Sequence, residues 1–176
     1  MAIVEKKGDS RTRSIRVDKA IDDEVIYEAE HHNTSTSNLI EQILLSYLNH
    51  TRYVEDTSSL TIQPDTMTIF LKYLDEEDLE KIGEEVGRTI PERRFLHRGI
   101  VINEKAVLDH LLNVFGSSDN WFQVSYHEGK RPYLYIRNSL GSKWIVFIEA
   151  FIRAFYKLLD VEVESIRIGD NLQIIL

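Results

Sequence analysis

Six histidines are the first residues of this chain whose chemistry invites a function: His31, His32, His50, His97, His110 and His127. Imidazoles bind transition metals, and helical metal sites use spacings that put two rings on one face. None of the six forms an i,i+4 pair, and HExxH does not occur. His31 and His32 project from different sides of a helix. The histidines are expected as titrating surface groups, with no metal and no other cofactor. There is no cysteine, which removes disulfides, thiolate nucleophiles and cysteine-ligated zinc or iron–sulfur centres. Neither a G-x-S-x-G elbow nor P-loop spacing is present, and no pair of acids is singled out for proton transfer. No enzyme is expected. Two places could hold an anion: the arginines Arg88, Arg93, Arg94 and Arg98, and Lys143 in the turn Ser139-Leu-Gly-Ser-Lys143 ahead of a helix start.

The elements that position these groups follow from composition and pattern. The chain has 176 residues, 43% hydrophobic and 28% charged, which is enough for one large domain or two small ones. No apolar run reaches the eighteen residues of a membrane span. The start, MAIVEKKGDS, lacks the apolar stretch of a secretory leader, so a cytoplasmic protein is expected. The net charge of −8 is unevenly placed. Lys6, Lys7, Arg11, Arg13 and Arg16 meet only Glu5 and Asp9 in the first seventeen residues, and a strongly acidic stretch follows.

Arg11-Thr-Arg-Ser-Ile-Arg-Val17 alternates, with Ile15 and Val17 on one side and Thr12, Ser14 and Arg16 on the other. Asp18 suits a helix N-cap. Ile21, Val25, Ala29 and His32 recur at helical spacing, and Asp22, Asp23 and Glu24 complement the positive end of the helix dipole. Asn33 suits a left-handed stop, and Ser35 suits the cap of a second helix. In that helix Leu39, Ile40, Ile43, Leu44, Tyr47 and Leu48 make a wide apolar stripe. One strand and two helices of about 45 residues bury little, and a lone strand leaves its backbone unpaired. A second copy would solve both problems.

This pattern, RTRSIRVD, then IDDEVIYEAEHHN, then TSTSNLIEQILLSYL, resembles the ribbon-helix-helix DNA-binding family, the superfamily of the Arc and MetJ repressors, over residues 11–48. The resemblance implies an intertwined homodimer whose two strands pair as an antiparallel ribbon in the major groove of double-stranded DNA. It implies base contacts by Thr12, Ser14 and Arg16, with Arg16 placed to address guanine O6 and N7. Phosphate contacts fall to Lys6, Lys7, Arg11 and Arg13, and to Ser35, Thr36 and Ser37 at the start of the second helix. Ser35 can cap the helix as well. The dimer core is expected from Ile15, Val17, Ile40, Ile43 and Leu44.

Residues 1–50 are thus expected as the DNA-binding and dimerisation domain, 51–59 as a linker and 60–176 as a second domain. Leu60-Thr-Ile62 suits a short strand. Pro64 opens a helix to about Leu74, Asp75 a second that Gly87 ends, and Asn103 a third that Gly116 ends. Residues 88–99 are expected to be irregular. Strands are expected at 121–127 and 133–137, a long helix from Ser142 to about Leu159, and a hairpin at 161–168 and 172–176. The expected class is α+β: a strand-helix-helix unit followed by an α+β sandwich with a mostly antiparallel sheet. The helix at 142–159 is apolar nearly all round, so either its own domain or a second copy covers it. Ten of the seventeen aromatics fall between Trp121 and Tyr156. They are expected as core, with a small-molecule pocket as the alternative.

The expected function is a homodimeric, sequence-specific transcription regulator, a repressor in the pattern of that superfamily. Its second domain would bind a small-molecule effector, with Lys143, Arg88, Arg93 and Arg94 as candidates, or would oligomerise, up to a tetramer. The alternatives are an antitoxin-like interaction protein, or an enzyme that uses its N-terminus only to dimerise.

Overall fold

The computed structural model describes residues 8–52, 62–116 and 121–176. The chain divides between residues 59 and 60 into two compact units. The expected strand at Leu60–Ile62 and the arm residues Lys6 and Lys7 fall wholly or mostly outside the described residues.

Among its described residues the first unit has no strand. Residues 9–18 lead into α1 (Lys19–His31), a tight turn, α2 (Thr36–Ser46) and a wider π-helical turn (Tyr47–Thr51). The expected strand at 11–17 is absent for a physical reason: a strand exists through its ladder, and no other described segment of this unit offers an edge. The helix signals act as read. The Asp18 carboxylate accepts the Ala20 N–H at 2.8 Å. Asn33 takes a φ of 50°, and the Thr34 N–H reaches the Ala29 carbonyl at 2.9 Å. Ser35 Oγ accepts the Asn38 N–H at 3.2 Å.

The second unit is α+β. It runs α3 (Pro64–Tyr73), α4 (Glu76–Arg98), α5 (Glu104–His110) with a π-helical extension (Leu111–Phe115), β1 (Gln123–His127), β2 (Tyr133–Arg137), α6 (Ser142–Lys157), β3 (Glu164–Ile168) and β4 (Asn171–Ile175). All three strand pairings are antiparallel, in the order β1-β2-β4-β3. Leu134 and Ile136 of β2 and Leu172 and Ile174 of β4 are buried on one face, as strict alternation dictates.

Helix α6 is the centre of this unit. Phe147, Ala150 and Phe151 lie against α4, and Ile145, Ile148 and Ile152, on the opposite side of the helix, join the core with Leu134, Ile136, Leu172 and Ile174 of the sheet. Its own domain therefore covers it. The clustered aromatics are mostly core: Phe122, Trp144, Phe147, Phe151, Phe155 and Tyr156 are all buried.

Helix α4 overturns one boundary. The sequence predicts a helix end at Gly87 and an irregular segment at 88–99; instead the helix passes through Gly87 and Pro91 to Arg98. Leu79, Gly83, Gly87, Pro91 and Phe95 are all buried and recur every fourth residue, which builds one ridge along the side facing α6. The glycines serve close approach. A Cβ on Gly83 would come within 2.5 Å of the Phe147 carbonyl oxygen, and one on Gly87 would collide with the carbonyl of Phe151. The gain from this packing outweighs the low helix propensity of Gly and the ladder bond lost at Pro91. The real stop is Gly99, with a φ of 61°. Its N–H bonds Leu96 O at 3.1 Å, and Ile100 N–H bonds Phe95 O at 2.9 Å.

Candidate nucleic-acid interface

Arg11, Thr12, Arg13, Ser14 and Arg16 are all exposed, ahead of an α1 whose first turn carries Asp22. Their cationic and hydroxyl side chains are therefore open to a polyanion. Asp18, at φ −63° and ψ 145°, turns the extended approach into the helix. Ser35 also has extended geometry, at φ −82° and ψ 150°. Its Oγ is engaged as a cap, while Asn38 Nδ2 donates to Thr34 Oγ1 at 2.7 Å and fixes the turn. The amides of Thr36 and Ser37 fall in the first turn of α2, where N–H groups have no acceptor within the helix. Thr36 is half-buried and Ser37 exposed.

The residues expected as dimer core are not a core within one chain. Ile15 is 72% exposed, and Val17, Ile43 and Leu44 are also exposed. Ile40 is half-buried. Ile21, Ile26, Tyr27 and Tyr47 are exposed too, and Ala29 is the one buried side chain among the described residues of this unit.

The residues expected to hold an effector do not converge. Lys143 is used structurally: its ammonium donates to Leu71 O at 2.9 Å and to Leu74 O at 2.5 Å, closing the C-terminal end of α3. Arg88, Arg93 and Arg94 all lie on α4, where their spacing turns them to three different sides. Arg88 and Arg93 are exposed, while Arg94 lies over the Phe115 ring at 4.9 Å. The reason is the continuous helix through 88–98, which separates groups that a loop could have gathered.

Two polar groups of the second unit are buried, which their residue types do not announce, and a third, exposed as expected, makes a specific contact. His110, expected at the surface, is 1% exposed. It sits between Phe95 at 4.7 Å and Phe115 at 5.3 Å, and its Nε2 has no hydrogen-bond partner. Burial, and then the charges of Arg98 and Arg94, push its pKa down to about 3. The signal was its place on the apolar face shared by Val107, Leu111 and Val114. Glu149 is the second, a lone acid in the apolar run Trp144–Ile152. Its carboxylate accepts from Ser165 and Arg167 of β3 and pairs with Arg153 at 2.8 Å. Burial alone would raise its pKa, but the bonds from Ser165 and Arg167 and the charges of Arg167 and Arg153 outweigh it, and the net shift is downward. The third is His127, stacked on Tyr133 at 4.6 Å with its Nε2 3.1 Å from Ser125 Oγ, a contact made only by the strand alternation of β1 and its register with β2. Among the described residues no three His, Asp or Glu side chains gather as metal ligands, and no helix is long and apolar enough to cross a membrane.

Glu149 carries a pH prediction. Because its folded pKa is depressed, its contribution is present above the ordinary carboxylate range and is lost as pH falls through the folded value. Glu149→Gln should therefore cost about 1–2 kcal/mol at pH 7, and the deficit should shrink as the wild type is acidified below about pH 4.5. A deficit that stays constant from pH 7 to pH 3 in urea titrations would show that the charge of Glu149 does not anchor β3.

No family model matches the chain, and no curated protein matches it either.

Proposed function

We propose that this protein is a sequence-specific DNA-binding transcription regulator that acts as a homodimer. Its first unit would be a ribbon-helix-helix module and its second an effector-binding or oligomerisation domain. The observation that carries the reading is the exposed apolar surface of residues 15–47. A unit whose described residues include one buried side chain, with Ile15, Val17, Ile21, Ile43, Leu44 and Tyr47 exposed, lacks the burial a folded domain needs. A second copy supplies it. Pairing residues 11–17 with the same segment of the partner would give the strand its missing edge and bury Ile15, Val17, Ile40, Ile43 and Leu44 together. It would also turn Thr12, Ser14 and Arg16 outward on a two-stranded ribbon narrow enough for the major groove.

In this mechanism base reading and positioning are separate tasks. Arg16 would form two hydrogen bonds with a guanine edge, and Thr12 and Ser14 would contribute less selective contacts. Lys6, Lys7, Arg11 and Arg13 would neutralise phosphates, and the Thr36 and Ser37 amides above the Ser35 cap would clamp one phosphate on each side. The acidic total charge does not oppose this, because the cations are concentrated where the duplex would lie.

The test is a mobility shift with the full chain and the DNA upstream of its own gene, over a salt series. Log affinity should fall with log salt by about 0.9 per phosphate neutralised. Arg16→Ala should cost about 1–3 kcal/mol per site on the specific sequence and little on scrambled DNA. Lys6→Ala with Lys7→Ala should weaken both sequences and flatten the salt slope. Equal losses on both sequences for Arg16→Ala would make Arg16 a phosphate contact, and no shift on any fragment would end the DNA reading.

A further inference from the structure

Helix α3 is apolar on two sides. Met67, Leu71 and Leu74 pack into the core of the second unit. The other side carries Thr66, Ile69, Phe70 and Tyr73, at helical spacing along one stripe. Ile69 and Phe70 are each 54% exposed and Tyr73 is 86% exposed. Scattered surface hydrophobics need no account, but three large ones in phase on a ten-residue helix make a contiguous patch.

We propose that this stripe is a docking surface for the α3 helix of a second copy of the chain, packed antiparallel about a two-fold axis between Ile69 and Phe70. Self-complementarity argues for that occupant. An antiparallel arrangement centred there sets Ile69 against the partner's Phe70 and Thr66 against the partner's Tyr73, because both pairs share the same midpoint. An isologous contact requires this symmetry, in which residue i meets j and j meets i. The charges agree with the same direction. Exposed Asp65 and Lys72 lie on one flank of the stripe, seven residues apart and so at nearly the same angle. Antiparallel packing keeps this flank of both copies on one side of the interface and brings Asp65 within reach of the partner's Lys72, twice per dimer, whereas parallel packing would put the two copies' charges on opposite sides and leave them unpaired. Lys143 holds the end of this helix through the Leu71 and Leu74 carbonyls, so the surface is presented on a fixed element. Its small size makes it an adjunct to a larger contact between copies. That larger contact is the dimer proposed for the first unit, so the inference rests on that dimer but not on DNA binding.

Because the chain has no cysteine, Ile69→Cys places a single thiol beside the proposed axis of the full-length protein. Mild oxidation with copper phenanthroline should give a covalent dimer on a non-reducing gel. Glu80→Cys, exposed on α4, should give little. In the Ile69→Cys background, Asp65→Lys or Lys72→Asp alone should slow dimer formation about two- to fivefold, and the two together should restore it. Circular dichroism verifies that each variant is folded, and the substituted side chains are all exposed. Equal cross-linking of Ile69→Cys and Glu80→Cys would overturn the surface. Slowing by each reversal without recovery in the double variant would overturn the antiparallel pairing. Loss of DNA binding with cross-linking intact, or the reverse, separates this inference from the proposed function.

Discussion

His110→Phe should flatten the acid limb of the stability of the second unit. In the wild type, His110 is enclosed by Phe95, Phe115 and Phe155, with ring centroids 4.7, 5.3 and 6.3 Å away. It stays neutral until its folded pKa of about 3. An unfolded chain takes up that proton near pH 6.5. Since the folded value is the lower one, the stability is fully present above pH 6.5 and is lost as pH falls from there toward 3. The loss over that window is on the order of 4 kcal/mol. Phenylalanine has a similar shape and no proton to bind, and it removes a buried nitrogen that has no partner. The variant should therefore match or exceed the wild type at pH 7, and its lead should widen by several kcal/mol at pH 4. Both tryptophans, Trp121 and Trp144, belong to this unit, so urea titrations followed by tryptophan emission read it alone. Parallel stability curves for the two proteins from pH 6.5 to pH 4 would refute a buried neutral His110.

Gly87→Ala should be severely destabilising, against the usual sign for a helix. In an exposed helix the change gains about 1 kcal/mol from propensity. Here the new Cβ would strike the backbone carbonyl of Phe151, which cannot rotate away as a side chain could. Helices α4 and α6 would have to separate along the ridge of Leu79, Gly83, Gly87, Pro91 and Phe95, with a loss of about 3 kcal/mol or more. Gly129→Ala is the control, since nothing lies within 4 Å of its Cβ position. Thermal melts on the tryptophan signal would settle the matter: a Gly87→Ala midpoint at or above wild type would mean that the two helices are not in backbone contact.

Such a contact defines what a sequence can and cannot convey. Local chemistry was legible. Asp18, Ser35, Asp75 and Asn103 cap the helices they were read to cap, because a cap is a hydrogen bond between residues two or three positions apart. Asn33 ends its helix in the left-handed region for an equally local reason. The hairpins and the α+β class followed from alternation and turn residues, and the apolar circumference of residues 144–156 announced a helix buried on several sides. What surrounds a residue was not legible. Gly87 has the same local preferences whether it ends a helix or lets another backbone approach, and only α6 decides between them. The arginines at 88, 93 and 94 form a cluster only if their segment is a loop, and the same packing makes it a helix. His110 reads as a surface histidine until Phe95 and Phe155, far from it in the chain, close around it. The strand expected at 11–17 is the reverse case. Its alternation is clear in the sequence, but a strand is completed by a neighbouring edge, and the described residues of one copy of the first unit offer none.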